Sequence, residues 1–154
     1  MIRPIFFAFV ALSALAAPAT AQQRRPAPPK LTGIDALRAE FIALSGTDTI
    51  FFGGASSTLS VPAKSVLQRQ AAWLRRHPEL VVSVEGHADS GDTRDRALAI
   101  AARRAEEVRD FLILFGVLPS QVTATSWGKE RAPAQGLSEP ALVANRRVQV
   151  VLVR

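Results

Sequence analysis

The sequence predicts an α/β fold, an α+β sandwich in which helices pack against a sheet. Two observations predict it. From Thr49 onward, segments rich in β-branched residues alternate with segments whose apolar residues recur every three or four positions. The helical segments also end at recognisable stops, His77-Pro78 and Gly116. The chain has 154 residues, one domain's worth, with 48% hydrophobic residues to fill a core.

The elements follow in order. Arg3 gives a positive start, and Ile5 to Ala17 is apolar except for Ser13. Ala19-Thr20-Ala21 is a small-x-small site, so residues 1–21 are expected to be a secretory signal peptide cleaved after Ala21. The apolar run is shorter than the roughly 20 residues that span a bilayer. Residues 22–30 read QQRRPAPPK, a stiff, basic, Pro-rich linker. An N-terminal helical segment is expected over 31–48. Its helix covers Leu31 to Leu44, marked by Leu31, Ile34, Leu37, Phe41 and Leu44, and Ser45-Gly46-Thr47-Asp48 breaks it.

Thr49 to Phe52 is a short strand closed by Gly53-Gly54. Pro62 can start a helix, and Ala63 to Arg76 continues it with Val66, Leu67, Gln70, Trp73 and Leu74 inward. Leu80 to His87 is a strand and Ala88 to Thr93 a polar turn. Arg94 to Phe115 is a long helix. Gln121 to Trp127 alternates as a strand, Gly128 to Gln135 is a loop, and Leu137 to Ala144 a short helical segment. Arg147 to Val153 is the closing strand, with Val148, Val150 and Leu152 on one face. Strand order does not follow from sequence.

Lys and Arg exceed Asp and Glu by 19 to 13, a net charge of +6. Such basicity fits an anionic partner, but an exported chain argues against nucleic acid. There is no cysteine, so neither a disulfide nor a lipidated cysteine is expected, and the mature protein is expected to be soluble. No later segment is apolar and long enough to cross a membrane.

One arginine stands in an apolar stripe. At 100° per residue, Ala97, Ala101, Ala105, Val108, Leu112 and Phe115 fall within about 80° of the long helix, widened by Ile100 and Phe111. Arg104 lies inside that stripe, whereas Arg103 points to the charged side with Glu106 and Asp110. An inward guanidinium needs a carboxylate or carbonyl partner. It is either held within the fold or turned to a cleft where it binds a carboxylate from outside. Asp89 follows the Leu80–His87 strand, and strand ends of this kind commonly hold ligands. Asp89 and Arg104 together would suit a ligand carrying both an ammonium and a carboxylate. Asp89 alone is also an ordinary turn or helix cap.

Several motifs fall in this stretch: Val84-Glu85-Gly86-His87-Ala88-Asp89, Arg103-Arg104-Ala105, Gly116-Val117, Ser126-Trp127-Gly128-Lys129-Glu130 and Asn145-Arg146-Arg147, preceded by Trp73-Leu74-Arg75-Arg76-His77-Pro78. In order and spacing they resemble the OmpA C-terminal-like (OmpA/MotB) family, especially its peptidoglycan-associated lipoproteins. The resemblance runs from about Thr49 to Val153. It implies a β-α-β-α-β-β domain over 49–154, with a mixed sheet and helices packed on it. It also implies non-covalent binding of peptidoglycan through the diaminopimelate of the peptide stem. The family's binding Asp matches Asp89 and its binding Arg matches Arg104. Arg146 and Arg147 match arginines that sit beside the ligand or start the last strand, and both readings stay open. Departures from the pattern are the missing lipidated Cys, Ala97 where the family usually has Asn, Gly91 one position early, and Ile100 and Ala101. The altered turn and Ala97 are expected to weaken binding.

A catalytic reading has little to stand on. Only His77 and His87 are present, there is no HExxH, GxSxG or Cys nucleophile, and Ser56, Ser57 and Thr58 have no evident base. No cofactor or metal is implied. The expectation is a non-enzymatic cell-envelope protein of the periplasm, at the wall or outer membrane, with peptidoglycan as partner. A periplasmic protein–protein adaptor with a weakened ligand site is the alternative, and further periplasmic or outer-membrane protein partners fit either reading. Diffuse attachment through basic charge is a third reading, marked by salt sensitivity.

Overall fold

The computed structural model describes residues 33–153. The expected signal peptide, the linker and the first two residues of the N-terminal segment lie outside them. The elements are α1 (Ile34–Ser45), β1 (Thr49–Phe51), α2 (Val61–Leu74), β2 (Val82–His87), α3 (Arg94–Leu114), a 3-10 turn (Pro119–Gln121), β3 (Val122–Gly128), α4 (Glu139–Asn145) and β4 (Arg147–Leu152). No helix among the described residues is long and apolar enough to cross a membrane.

The four strands form one mixed sheet in the order β1-β4-β2-β3. β4 is antiparallel to both β1 and β2, while β2 and β3 run parallel across the α3 connection. The last strand therefore inserts between the first two.

Local chemistry explains the boundaries. α2 starts at Val61, one residue before Pro62, because Ser60 accepts from the Ala63 amide and caps it. α3 is capped by Thr93, which accepts from the Arg96 amide. β2 starts at Val82, not Leu80, because the Leu80 amide is spent on the His77 carbonyl in a turn. α1 and α2 run antiparallel: Trp73 Nε1 donates to Glu40 and Arg69 donates to the Ser45 carbonyl.

The core lies between the helices and one face of the sheet. Leu67, Trp73, Val82, Val84, Val108, Leu112, Val148 and Val150 fill it, and Phe41 of α1 packs edge-on against Trp73. Gly86 lets α3 come close. A Cβ there would lie 2.0 Å from the Ala101 carbonyl oxygen, so only glycine fits where helix backbone meets strand backbone. Ala101 and Ala105 complete that contact, which fixes the start of α3 beside the end of β2.

The excess positive charge lies elsewhere. Five of the 19 basic residues, Arg3, Arg24, Arg25, Lys30 and Arg154, fall outside 33–153, whereas all 13 acidic residues fall inside. The described residues are close to neutral, so the basic surface behind the diffuse-attachment reading is not a property of the folded domain.

Candidate functional site

β2 ends at His87, and the chain turns through Ala88–Thr93 into α3. This turn forms the floor of a cleft of about 200 Å³ lined by Gly54, Ala55, Ala88, Asp89, Gly91, Asp92, Ile100, Arg104, Leu142 and Arg146. Two carboxylates and two guanidiniums thus face one space. The turn keeps its shape because Asp89 accepts from the Gly91 amide. Ser90 donates to the Gly136 carbonyl, Lys129 donates to the Asp92 carbonyl, and Arg94 pairs with Glu130. The 129–137 loop is held in turn by Asn145, whose amide both donates to the Ala134 carbonyl and accepts from its N–H.

Arg104 lies where the helix period puts it, facing inward and 1% exposed. Its partners are carbonyls, not a carboxylate. Nε donates to Ser56, Nη1 to His87 and Nη2 to Gly54, and the guanidinium sits 5.3 Å from the Phe52 ring centroid. Three of its five N–H groups are used, leaving one on each Nη. Burial lowers its pKa and Asp89 opposes that. Neutral carbonyls satisfy the donors without cancelling the charge, so the cleft keeps an anion-attracting wall.

Asp89 pairs through Oδ2 with Arg146 Nε. Burial alone would raise its pKa. Hydrogen bonds from Arg146 and the Gly91 amide, with the charges of Arg146 and Arg104, hold it below the usual carboxylate range. Arg146 also reaches Glu139 at the start of α4, Nη1 to Oε1 at 3.2 Å.

Arg147 is not among the residues that line the cleft. It follows Arg146 by one position and so projects to the other face of the sheet, where Nη2 donates to the Arg131 carbonyl and Gln149. Burial lowers its pKa, with Glu85 opposing. His87 lies on the same side. Burial, with Arg147 and Arg131 adding to it, pushes its pKa down to about 4. Neither ring nitrogen of His87, nor Trp127 Nε1 nor Arg147 Nη1, has a hydrogen-bond partner among the described residues, and Arg131 stacks on the Trp127 ring. Ala97 is fully buried with Ala88 and Ala101 and does not line the cleft.

The Asn145-Arg146-Arg147 run therefore does three different things: Asn145 staples a loop, Arg146 enters the cleft and Arg147 anchors the far face. Residues not singled out from sequence are Asp92, Leu142, the carbonyls of Gly54 and Ser56, and Glu139. Gly53-Gly54 was the available signal for a backbone exposed to a ligand or side chain.

The OmpA family profile matches residues 51–146. A peptidoglycan-associated lipoprotein of Agrobacterium fabrum is 44% identical over 105 residues, covering 68% of this chain and 59% of that protein. One from Pseudomonas aeruginosa is 37% identical over 117 residues, covering 76% and 69%. The chain spans 52% to 62% of the length of the first relatives, 52% for that of Mesorhizobium japonicum. The crystal structure of the peptidoglycan-associated lipoprotein from Burkholderia pseudomallei superposes with a TM-score of 0.69 at 32% identity, covering 70% of this chain and 92% of that one. The C-terminal domain of Helicobacter pylori MotB superposes at 0.64 and 24% identity, covering 70% and 84%, a likeness of fold.

Proposed function

The chain belongs to the OmpA family, and from that premise we propose that it binds peptidoglycan non-covalently, through the diaminopimelate of the peptide stem, without catalysis. One observation carries this reading: Asp89 and Arg104 face the same cleft from two sides. An ammonium fits the carboxylate of Asp89. A carboxylate fits the two free N–H groups of Arg104, a bidentate, charge-assisted contact. Diaminopimelate offers both groups on one carbon at the end of its side chain. Leu142 and Ile100 supply apolar walls for the methylenes behind that head. Export to the periplasm, attachment at the wall or outer membrane, and a part in envelope organisation follow from the same reading. Arg146 belongs to the binding residues; Arg147 is assigned to the structure of the sheet.

Co-sedimentation of the mature chain with purified sacculi across a salt series tests the function. Retention at high salt is expected, because the charged side chains of the site are sheltered and the folded domain is nearly neutral. Binding that disappears with salt overturns the reading in favour of diffuse attachment through basic charge. Binding that Asp89→Ala leaves intact in a folded protein overturns the site, and a folded chain that does not bind sacculi at any salt favours the adaptor.

A further inference from the structure

We infer that Arg146 is a latch that makes the cleft selective for a zwitterion over a simple amine. The inference rests on the diaminopimelate reading above. Arg146 occupies the carboxylate that an incoming ammonium needs: Asp89 Oδ2 accepts from its Nε. Both side chains are sheltered, at 15% and 14% exposure, so the pair is not an ordinary surface contact screened by water.

An ammonium reaches Asp89 only by displacing this guanidinium. Arg146 then needs another anion. Its second partner, Glu139, lies 3.2 Å away but is 70% exposed, and an exposed carboxylate repays little of what is lost. A ligand carboxylate in the cleft repays it well, because it stands between Arg104 and the displaced Arg146. A ligand with both charges exchanges partners, ammonium for guanidinium on Asp89 and carboxylate for carboxylate on Arg146. A ligand with only the ammonium leaves Arg146 in the cleft mouth with Glu139 alone. Discrimination thus comes from a penalty against the wrong ligand as well as from attraction to the right one. Arg104 does not supply that penalty, since its guanidinium is held by three carbonyls and does not occupy Asp89.

The test compares two stem peptides that differ only in the third residue, meso-diaminopimelate or lysine, by calorimetric titration of the full mature chain. Three proteins are used: wild type, Arg146→Met, which keeps length without charge, and Arg146→Lys, which keeps charge but pairs with Asp89 less well. Wild type is expected to prefer the diaminopimelate stem by about a hundredfold. In Arg146→Met the lysine stem should bind about tenfold tighter than to wild type, because Asp89 is released. The preference should shrink accordingly, with Arg146→Lys between. A lysine-stem affinity that does not rise in folded Arg146→Met and Arg146→Lys overturns the latch while leaving the site standing. Wild type that binds neither stem overturns both.

Discussion

The two walls of the cleft are built from different materials. The α3 wall is backbone against backbone: Gly86 beneath the Ala101 carbonyl, and Arg104 fixed by the carbonyls of Gly54, Ser56 and His87. The opposite wall, between the end of β3 and the start of β4, is held side chain to side chain: Arg146 pairs with Asp89 of the floor and with Glu139, beside a loop tied by Asn145. The first cannot move without unpacking the core. The second can exchange partners at the cost of one ion pair. A cleft with one fixed and one exchangeable wall keeps its aim while letting a ligand in.

The largest effect should come from breaking the fixed wall. Gly86→Ala forces α3 off β2, since a backbone carbonyl cannot give way, and is expected to cost about 3 kcal/mol or more, read by thermal or denaturant unfolding. Next, Arg104→Ala should strip the buried His87 carbonyl and the partly buried Gly54 and Ser56 carbonyls of their donor, and also remove the anion site. Binding is expected to fall at least about tenfold, with a stability loss of about 3 kcal/mol. Asp89→Ala should lose the same tenfold in binding but little stability. Similar stability losses for the two variants would erase the distinction between the walls.

Asn145→Ala should cost about 1–2 kcal/mol for two amide hydrogen bonds. Hydrogen exchange should quicken at the Ala134 amide and not in β2. The smallest effect is a matter of pH. His87, with its pKa lowered from 6.5 to about 4, is neutral when folded, so the unfolded chain takes up more protons between those values. The stability it contributes is present above 6.5 and lost as the pH falls towards 4. Between pH 6.5 and 5, above the carboxylate range, His87→Gln should flatten the decline in melting temperature. An unchanged slope would show that His87 is not the titrating group.

The inward position of Arg104 was legible because helix periodicity is local and α3 runs for 21 residues. Asp89 was legible from its place after a β-rich run. The partners of Arg104 were not, because backbone carbonyls at Gly54 and Ser56 carry no side-chain signature. The Asp89–Arg146 pair joins residues 57 apart in the chain and depends on β4 lying between β1 and β2, an order that periodicity does not encode. Nor could sequence separate Arg146 from Arg147. A one-residue shift in where β4 begins would exchange their faces. The 3-10 turn before β3 went unread because three residues are too few for a period.

Arg38 and Arg146 mark opposite ends of β4. Arg38 donates to the Leu152 carbonyl at its last residue, while Arg146 precedes its first. Six strand residues, about 20 Å, lie between. α1 runs from Gly33, at the end remote from the cleft, back towards it. Suppose a polymer held in the cleft is pulled one way and the chain before Gly33 the other. The tension then runs along the strands. A pull at Gly33 meets α1 first and then β1, whose hydrogen bonds to β4 are loaded side by side, not one after another as when a strand is peeled from its edge. With the cleft at one end of the sheet and Gly33 at the other, such a pull would set the β1–β4 pairing in shear.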